Sequence, residues 1–243
     1  MKKYELTDDS ITFMGRELFR IRAIRSFNDV AVGDLGGYIE KEENLSHDND
    51  AWISDNARIS GNARIFDDAR ICGKACVCGN AYIYGKACIG GNAWISGDAH
   101  IYDHADIYGN ARIYGNACIS GNARIFGDAR ICDNAWISGY ACIYDNAHIY
   151  DHADIYDHVN ISGNAHISDD ADYLYLKGLG SENRNTTFFK YKDGHIHVSC
   201  GCFSGNLAEF ETKVKKTHGD SKYAKEYLAC IELVKIHFEE EKK

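Results

Sequence analysis

Proline is absent from all 243 residues. Proline has no backbone N–H and is kept out of the interior of hydrogen-bonded ladders, so its absence fits a chain whose amides are almost all committed to them. Long apolar runs are missing too. None approaches the ~18 residues of a membrane span. The opening Met1-Lys2-Lys3-Tyr4-Glu5-Leu6-Thr7 lacks the apolar core of a signal peptide. The expected location is cytoplasmic, with no membrane partner. Thiols stay reduced there, so the ten cysteines are not read as a disulfide framework. An excess of positive charge is also lacking. Lys and Arg number 27 against 36 Asp and Glu, a net charge of −9. General binding to nucleic-acid phosphates is therefore not expected, although a local basic patch is left open. No glycine loop has the form of a phosphate cradle, and no nucleophile–base motif occurs.

What is present is a repeat. Isoleucine returns at 53, 59, 65 and 71 and, after Val77, at every sixth position from 83 to 167. Alanine follows four residues after each, from Ala57 to Ala171, with Val159 the one exception. The 120 residues 53–172 make twenty hexads without a gap. The consensus is Ile-(Ser/Tyr/Cys)-(Gly/Asp)-(Asn/Asp/His)-Ala-x. In Ala63-Arg64-Ile65-Phe66 the alternation is that of a short strand, Ala63 and Ile65 to one side, Arg64 and Phe66 to the other. Gly61-Asn62 and Asp67-Asp68 read as corners, where glycine and asparagine tolerate a left-handed backbone. Such a unit is too short to contain a helix and cannot bury its isoleucine alone. The units must coil and stack.

The pattern resembles the hexapeptide-repeat family, whose motif of aliphatic, three free positions, small and one free position is matched in all twenty units. The resemblance implies a left-handed parallel β-helix with three hexads to a triangular coil. That means six to seven coils, a prism roughly 30 Å tall at ~4.8 Å per stacked strand. The expected fold is mainly β. It comprises an N-terminal β cap over 1–52, the left-handed parallel β-helix of hexapeptide repeats over 53–172, and a small C-terminal ββαα module over 173–243.

The exposed edges of a stacked coil invite further pairing unless capped. Phe13–Glu17 reads as a turn, Leu18–Ile24 as a strand, and Gly33–Glu40 as a lead into the coil. Ile39, Leu45 and Ala51 are already six apart, which suggests a degenerate first coil. Ile21–Arg25, Gly33–Glu40 and Asn44-Leu45-Ser46 are similar to the leader of hexapeptide-repeat proteins of bacterial and prophage genomes. At the other end, Thr187–Lys192 and His195–Cys202 flank Asp193-Gly194, a hairpin signal. Asn206 with Glu209 is a capping box. Leu207, Phe210 and Val214 share one helical face. After His218-Gly219-Asp220, a second helix carries Ala224, Tyr227, Leu228, Ile231, Val234 and Phe238 on one side. Glu239–Lys243 reads as a solvated tail.

Stepping three hexads at a time builds outward columns. One is Tyr108, Phe126 and Tyr144; another is Phe66, Tyr84 and Tyr102, beside Tyr82 and His100. Such ladders pack across strands or form a sticky face. One of them is expected to be buried between subunits. Within the resembled family, acyltransferases are trimers that bind acyl-coenzyme A between prisms, with a histidine as general base. Here His100, His104, His148, His152, His158 and His166 occupy repeat positions, and His104 and His152 are the ones to test. Catalytic members interrupt the helix with an extruded loop, whereas this repeat runs on. A non-catalytic role without a cofactor is therefore expected, with an acyl-coenzyme A-dependent acyltransferase as the alternative.

His195-x-His197-x-x-Cys200-x-Cys202 has metal-like spacing, but strand parity sends the histidines one way and the cysteines the other. Ile196, Val198, Cys200 and Cys202 then make a core face. Cys76 and Cys78 flank Val77 on the outside, as packed thiols. Asp133, Asp151 and Asp169 should stack at one corner, where water or a hard cation would relieve their repulsion. A solvated acidic edge is the commoner outcome, and no metal is assigned. The C-terminal module breaks the repeat, carries Lys213, Lys215, Lys216 and Lys222, and presents His195 and His197. It either caps the last coil or recognises a partner.

The expected function is that of a rigid scaffold or protein-interaction protein, self-associating, phage- or prophage-associated as the resemblance implies, and binding or inhibiting a host protein. The charge is uneven. Residues 1–52 carry 7 basic and 11 acidic side chains, the hexads 8 and 15, and residues 173–243 carry 12 and 10. The acidity belongs to the prism, where every acidic group is an aspartate.

Overall fold

The computed structural model describes residues 1–239. The hexads wind into a parallel β-solenoid with three faces. Each hexad contributes one strand of only two residues, ending on its isoleucine or, once, on Val77. Each strand pairs with the strand three hexads away, as in Ile71↔Ile89 and Ile89↔Ile107. The sheets contain ten, seven and six strands; the seven-stranded one, with no additions at its ends, marks about seven turns. We name the faces by their side chains. The arginine face runs from Arg58–Ile59 to His166–Ile167, the aromatic face from Arg64–Ile65 to Asp154–Ile155, and the third face from Trp52–Ile53 to Asn160–Ile161.

Isoleucine and alanine fill the prism. Ile59 through Ile167 and Ala57 through Ala165 are buried, and they form one continuous core with Tyr4 at one end and Phe189 at the other. The corners are left-handed. Gly97 has φ 72°, and a Cβ there would lie 2.7 Å from the carbonyl oxygen of Gly115 in the next coil. Where aspartate takes a corner, its carboxylate can accept an amide from the coil above, as Asp67 does from Gly85 N at 3.1 Å.

The first coil is present but longer than the rest. Ile39 pairs with Ile59 and Leu45 bridges to Ile65, both at an offset two residues beyond three hexads, before Ile53↔Ile71 restores the regular spacing. The two additional residues lie between Leu45 and Ile53. Ala51 therefore takes the small position before Ile53, not the aliphatic position expected of it. At the other end, His166–Ile167 still pairs with His148–Ile149. The chain then turns through a 3₁₀ helix, Asp170–Asp172, with Asp169 capping Ala171 N. Ala171, an inward residue by periodicity, is exposed.

The N-terminal cap is a hairpin of β1 (Tyr4–Phe13) and β2 (Arg16–Ala23), joined at Met14-Gly15. β2 pairs antiparallel with β3 (Leu35–Ile39), which runs parallel to Arg58–Ile59, so the cap extends the arginine face. Tyr4 and Lys3 close the open coil. The Tyr4 hydroxyl lies 2.8 Å from Leu45 O, and Lys3 Nζ donates to Asp48 O at 3.2 Å and Asn49 O at 3.1 Å.

The C-terminal module has four antiparallel strands, not two. Tyr173–Leu179, Arg184–Lys190, Ile196–Cys200 and Phe203–Asn206 pair in sequence order. They lead into α1 (Leu207–His218) and α2 (Lys222–His237). The expected capping box is formed, Asn206 Oδ1 accepting from Glu209 N at 2.9 Å. Strand parity divides the sheet. Phe188, Val198 and Cys200 pack on Phe210, Val214 and Ile231 of the helices. Tyr173 and Phe189 join the solenoid core. Lys192 N donates to Asn164 O at 3.1 Å and Asn160 N to Thr187 Oγ1 at 3.2 Å, so the module seals the last coil. The tail beyond Glu239 lies outside the described residues.

Candidate functional site

The aromatic face carries the ladder that a three-hexad step implies. Phe66, Tyr84 and Tyr102 stack with centroids 4.9 Å apart and planes within 4° of parallel at both steps. Tyr82 stacks on His100 beside them at 5.2 Å. In-register parallel pairing sets this geometry, because identical positions on successive coils face the same way. All three ladder rings are half-buried by one another. Further along this face and its following corner, Trp136, Tyr140 and Tyr156 are more open, at 50%, 58% and 52% exposure. These three were not among the expected interface residues; the same step of three hexads, taken repeatedly, reaches Tyr156 from Tyr102.

The column on the third face is looser. Tyr108 and Phe126 stack at 6.2 Å, and Arg124 lies over the Phe126 ring at 5.1 Å. Tyr144 is half-buried above them. The Tyr108 hydroxyl meets Cys88 Sγ at 2.7 Å, and burial with that thiol pushes its pKa up.

His104 and His152 are both exposed and stand at different corners, the first after the aromatic face and the second after the arginine face. His152 Nε2 lies 3.4 Å from Asn134 Nδ2, at the end of a ladder in which Asn116 donates to Asn134 at 3.0 Å. The structure does not bring the two histidines together.

The three aspartates do not share one role. Asp133 and Asp151 are left-handed corner residues, with Asp133 Oδ2 3.5 Å from Asp151 N. Asp169 has left the column to cap the 3₁₀ turn. Among the described residues no group of three His, Cys, Asp or Glu side chains converges as a metal ion requires.

In the C-terminal module the expected partner-binding residues are dispersed. His197 is buried on the solenoid side of the sheet, stacked on Tyr191 at 4.5 Å and 2.8 Å from Ser204 Oγ; burial lowers its pKa. His195 is exposed and pairs with Asp193 at 2.5 Å. Lys215 pairs with Glu211 at 2.5 Å, Lys216 is exposed, and Lys213 opens onto a cavity of about 300 Å³ lined also by Arg184, Phe203, Phe210 and Tyr227. Cys200 faces the helices as expected, but Cys202 lies in the exposed turn after its strand and leaves the core face.

The arginine face holds a column that was not expected from the sequence. Steps of three hexads from Arg58 give Arg58, Cys76, Trp94, Arg112, Arg130, His148 and His166, in register from rung to rung. Phe13 of the hairpin tip reaches onto this face, under the Arg58 guanidinium at 4.8 Å and 6.2 Å from Trp94. Nearby, Cys78 is held down to about 7 by the Cys76 thiol and by Arg16, while Cys76 is raised. A trough of about 710 Å³ is lined by Trp94, Arg112, Tyr114 and Arg130.

Residues 57–73, a stretch about one coil long, match the family described as YdcK Beta solenoid repeat. No curated protein matches the chain. Among the described residues no helix is long and apolar enough to cross a membrane. Fold and family match agree that the chain is a β-solenoid repeat protein.

Proposed function

We propose that the protein is a non-catalytic interaction scaffold of the hexapeptide-repeat kind that associates with a second copy of itself through the aromatic face. One observation carries this reading: Trp136, Tyr140 and Tyr156 are each at least half exposed, two to three rungs beyond the stacked Phe66–Tyr84–Tyr102 ladder on the aromatic face and its following corner. Large rings gathered on one flat face are the usual mark of a contact surface. Both ends of the prism are closed, by Lys3 and Tyr4 at one and by Tyr173 and Phe189 at the other, which leaves the lateral faces for association. The run of hexads without an extruded loop favours a scaffold over an acyltransferase. A host or phage protein as further partner is supported by the resemblance of the leader to prophage-encoded repeat proteins. A reducing cytoplasm is supported by the ten free thiols.

Sedimentation velocity of the full chain tests the association. The wild type is expected to sediment as an oligomer and the Trp136→Ser/Tyr156→Ser variant as a monomer with an unchanged β spectrum. A wild type that stays monomeric at high micromolar concentration overturns the reading.

A further inference from the structure

We propose that the arginine face is a binding site for a single-stranded nucleic acid. This rests on a different face from the self-association above and does not depend on it.

Aspartate is kept largely to the corners of the prism, and the two on strands, Asp106 and Asp154, stand on the other two faces. The hexads carry 15 aspartates, yet no Asp or Glu occupies an outward strand position on the arginine face from Arg58 to Ser168. Arg112 and Arg130 sit in register on adjacent rungs, ~4.8 Å apart. The arginine–carboxylate pairs among the described residues belong to Arg16, Arg20, Arg22 and Arg70, so neither of these two has an acidic partner. Like charges directly opposite one another in a sheet are destabilising unless an anion lies between them. His148 and His166 continue the column, with Lys192 beside them.

The shape is that of an open groove along the prism. The trough of about 710 Å³ over Trp94, Arg112, Tyr114 and Arg130 meets a second, of about 450 Å³, over Arg130, His148, His166 and Lys192. Asn92 and Asn110 form one rim. Asp128 is the one carboxylate among the described residues of either lining, and its Oδ1 is occupied by Asn110 Nδ2 at 3.0 Å.

Two features select the ligand. Trp94 and Tyr114 lie among the arginines and offer flat, sequence-tolerant platforms, the pairing of aromatic stacking with a cationic track that single strands use. An acidic peptide would satisfy the guanidinium groups but bring no planar ring to them. The face is also narrow. Asp98, Asp133 and Asp151 follow it at one corner and Asp128 and Asp145 precede it at the other, so a duplex would press phosphates against carboxylates. One strand fits between. The net charge of −9 disfavours long polyanions but does not describe this strip.

The test is fluorescence anisotropy of the full chain with a labelled oligothymidylate of about 12 nucleotides. Wild type is expected to bind at about 50 mM salt, weakening steeply as salt rises. Arg112→Ala/Arg130→Ala should weaken binding about tenfold and lower the salt slope by about 1.4, at ~0.7 for each phosphate no longer neutralised. Trp94→Ala should weaken binding with the slope unchanged. Arg64→Ala, an exposed arginine on the aromatic face, should bind as wild type. All of these are surface positions, and matching thermal melts establish that the variants fold. The proposal is overturned if wild type does not bind, if Arg64→Ala costs as much as the double variant, or if polyglutamate or a duplex competes as well as the single strand.

Discussion

The carboxylate of Asp103 accepts a hydrogen bond from the backbone N–H of Gly121, one coil further on, at 3.1 Å. Asp55, Asp67 and Asp145 do the same for Gly73, Gly85 and Gly163, and all four sit at φ between 56° and 60°. An aspartate corner thus adds a side-chain link to the backbone one that every corner makes, as Asn62 N does to Gly79 O at 2.8 Å. Asp103→Ala loses the acceptor and keeps a Cβ in the left-handed region, and should cost about 1–3 kcal/mol. Asp103→Gly loses the bond but relieves the strain, so it should cost clearly less. Urea unfolding of the two variants measures the difference.

The interior should respond to volume. Ile107 is fully buried with Ile89 and Ile125 on the coils either side. Ile107→Ala should destabilise by ~2–5 kcal/mol, because the backbone rungs hold the cavity open. Ile107→Val should cost ~0.5–1.5 kcal/mol in the same unfolding assay.

Lys3 supplies a pH signature. Its ammonium is buried against Asp48 O, Asn49 O and the Phe27 ring, and burial lowers its pKa to about 8, with Asp50 opposing the shift. The unfolded chain then holds this proton more tightly than the folded one. Stability should rise with pH between about 8 and the ordinary lysine value near 10.4, as the folded lysine becomes neutral. Denaturation of wild type and Lys3→Met across that range should show the rise in the former, with the difference between them flat below pH 7.

The docking of the C-terminal module can be probed at one glycine. A Cβ on Gly163 would fall 1.9 Å from the Tyr191 hydroxyl, whereas one on Gly178 meets nothing within 4 Å. Both have positive φ. Gly178→Ala should therefore carry only the backbone strain, ~1 kcal/mol, and Gly163→Ala more. Limited proteolysis should cut the module faster in the second variant alone.

Much of this architecture is legible because one residue type recurs where one physical role recurs. Isoleucine every sixth position marks the interior, and a step of three hexads from Phe66 or Tyr108 finds the ring that stacks on it. Legibility fails where the role is filled without the pattern. β1 carries Asp8 and Asp9 near its bulge and only sparse alternation, so it does not read as a strand until β2 covers it. Phe203–Asn206 is four residues long and contains a serine and a glycine. Ala51 keeps the six-residue spacing from Leu45, but the chain spends two further residues before Ile53. The trough was hidden for another reason: Trp94, Arg112 and Arg130 are distant in sequence, and a charge total blends the arginines with aspartates that point elsewhere.

The constant offset of three hexads, shared by all three faces, makes the surface a matter of phase. Losing or gaining three hexads anywhere in the repeat would shorten or lengthen the prism by one rung and leave every column intact. Losing one hexad would keep the interior just as well filled, yet carry every later side chain round to the next face. A hexad lost between Trp94 and Arg112 would take the tryptophan out of line with Arg112 and Arg130. In such a chain stability is blind to an error that rewrites the whole surface, so length change in units of a coil is the step that preserves whatever the faces recognise.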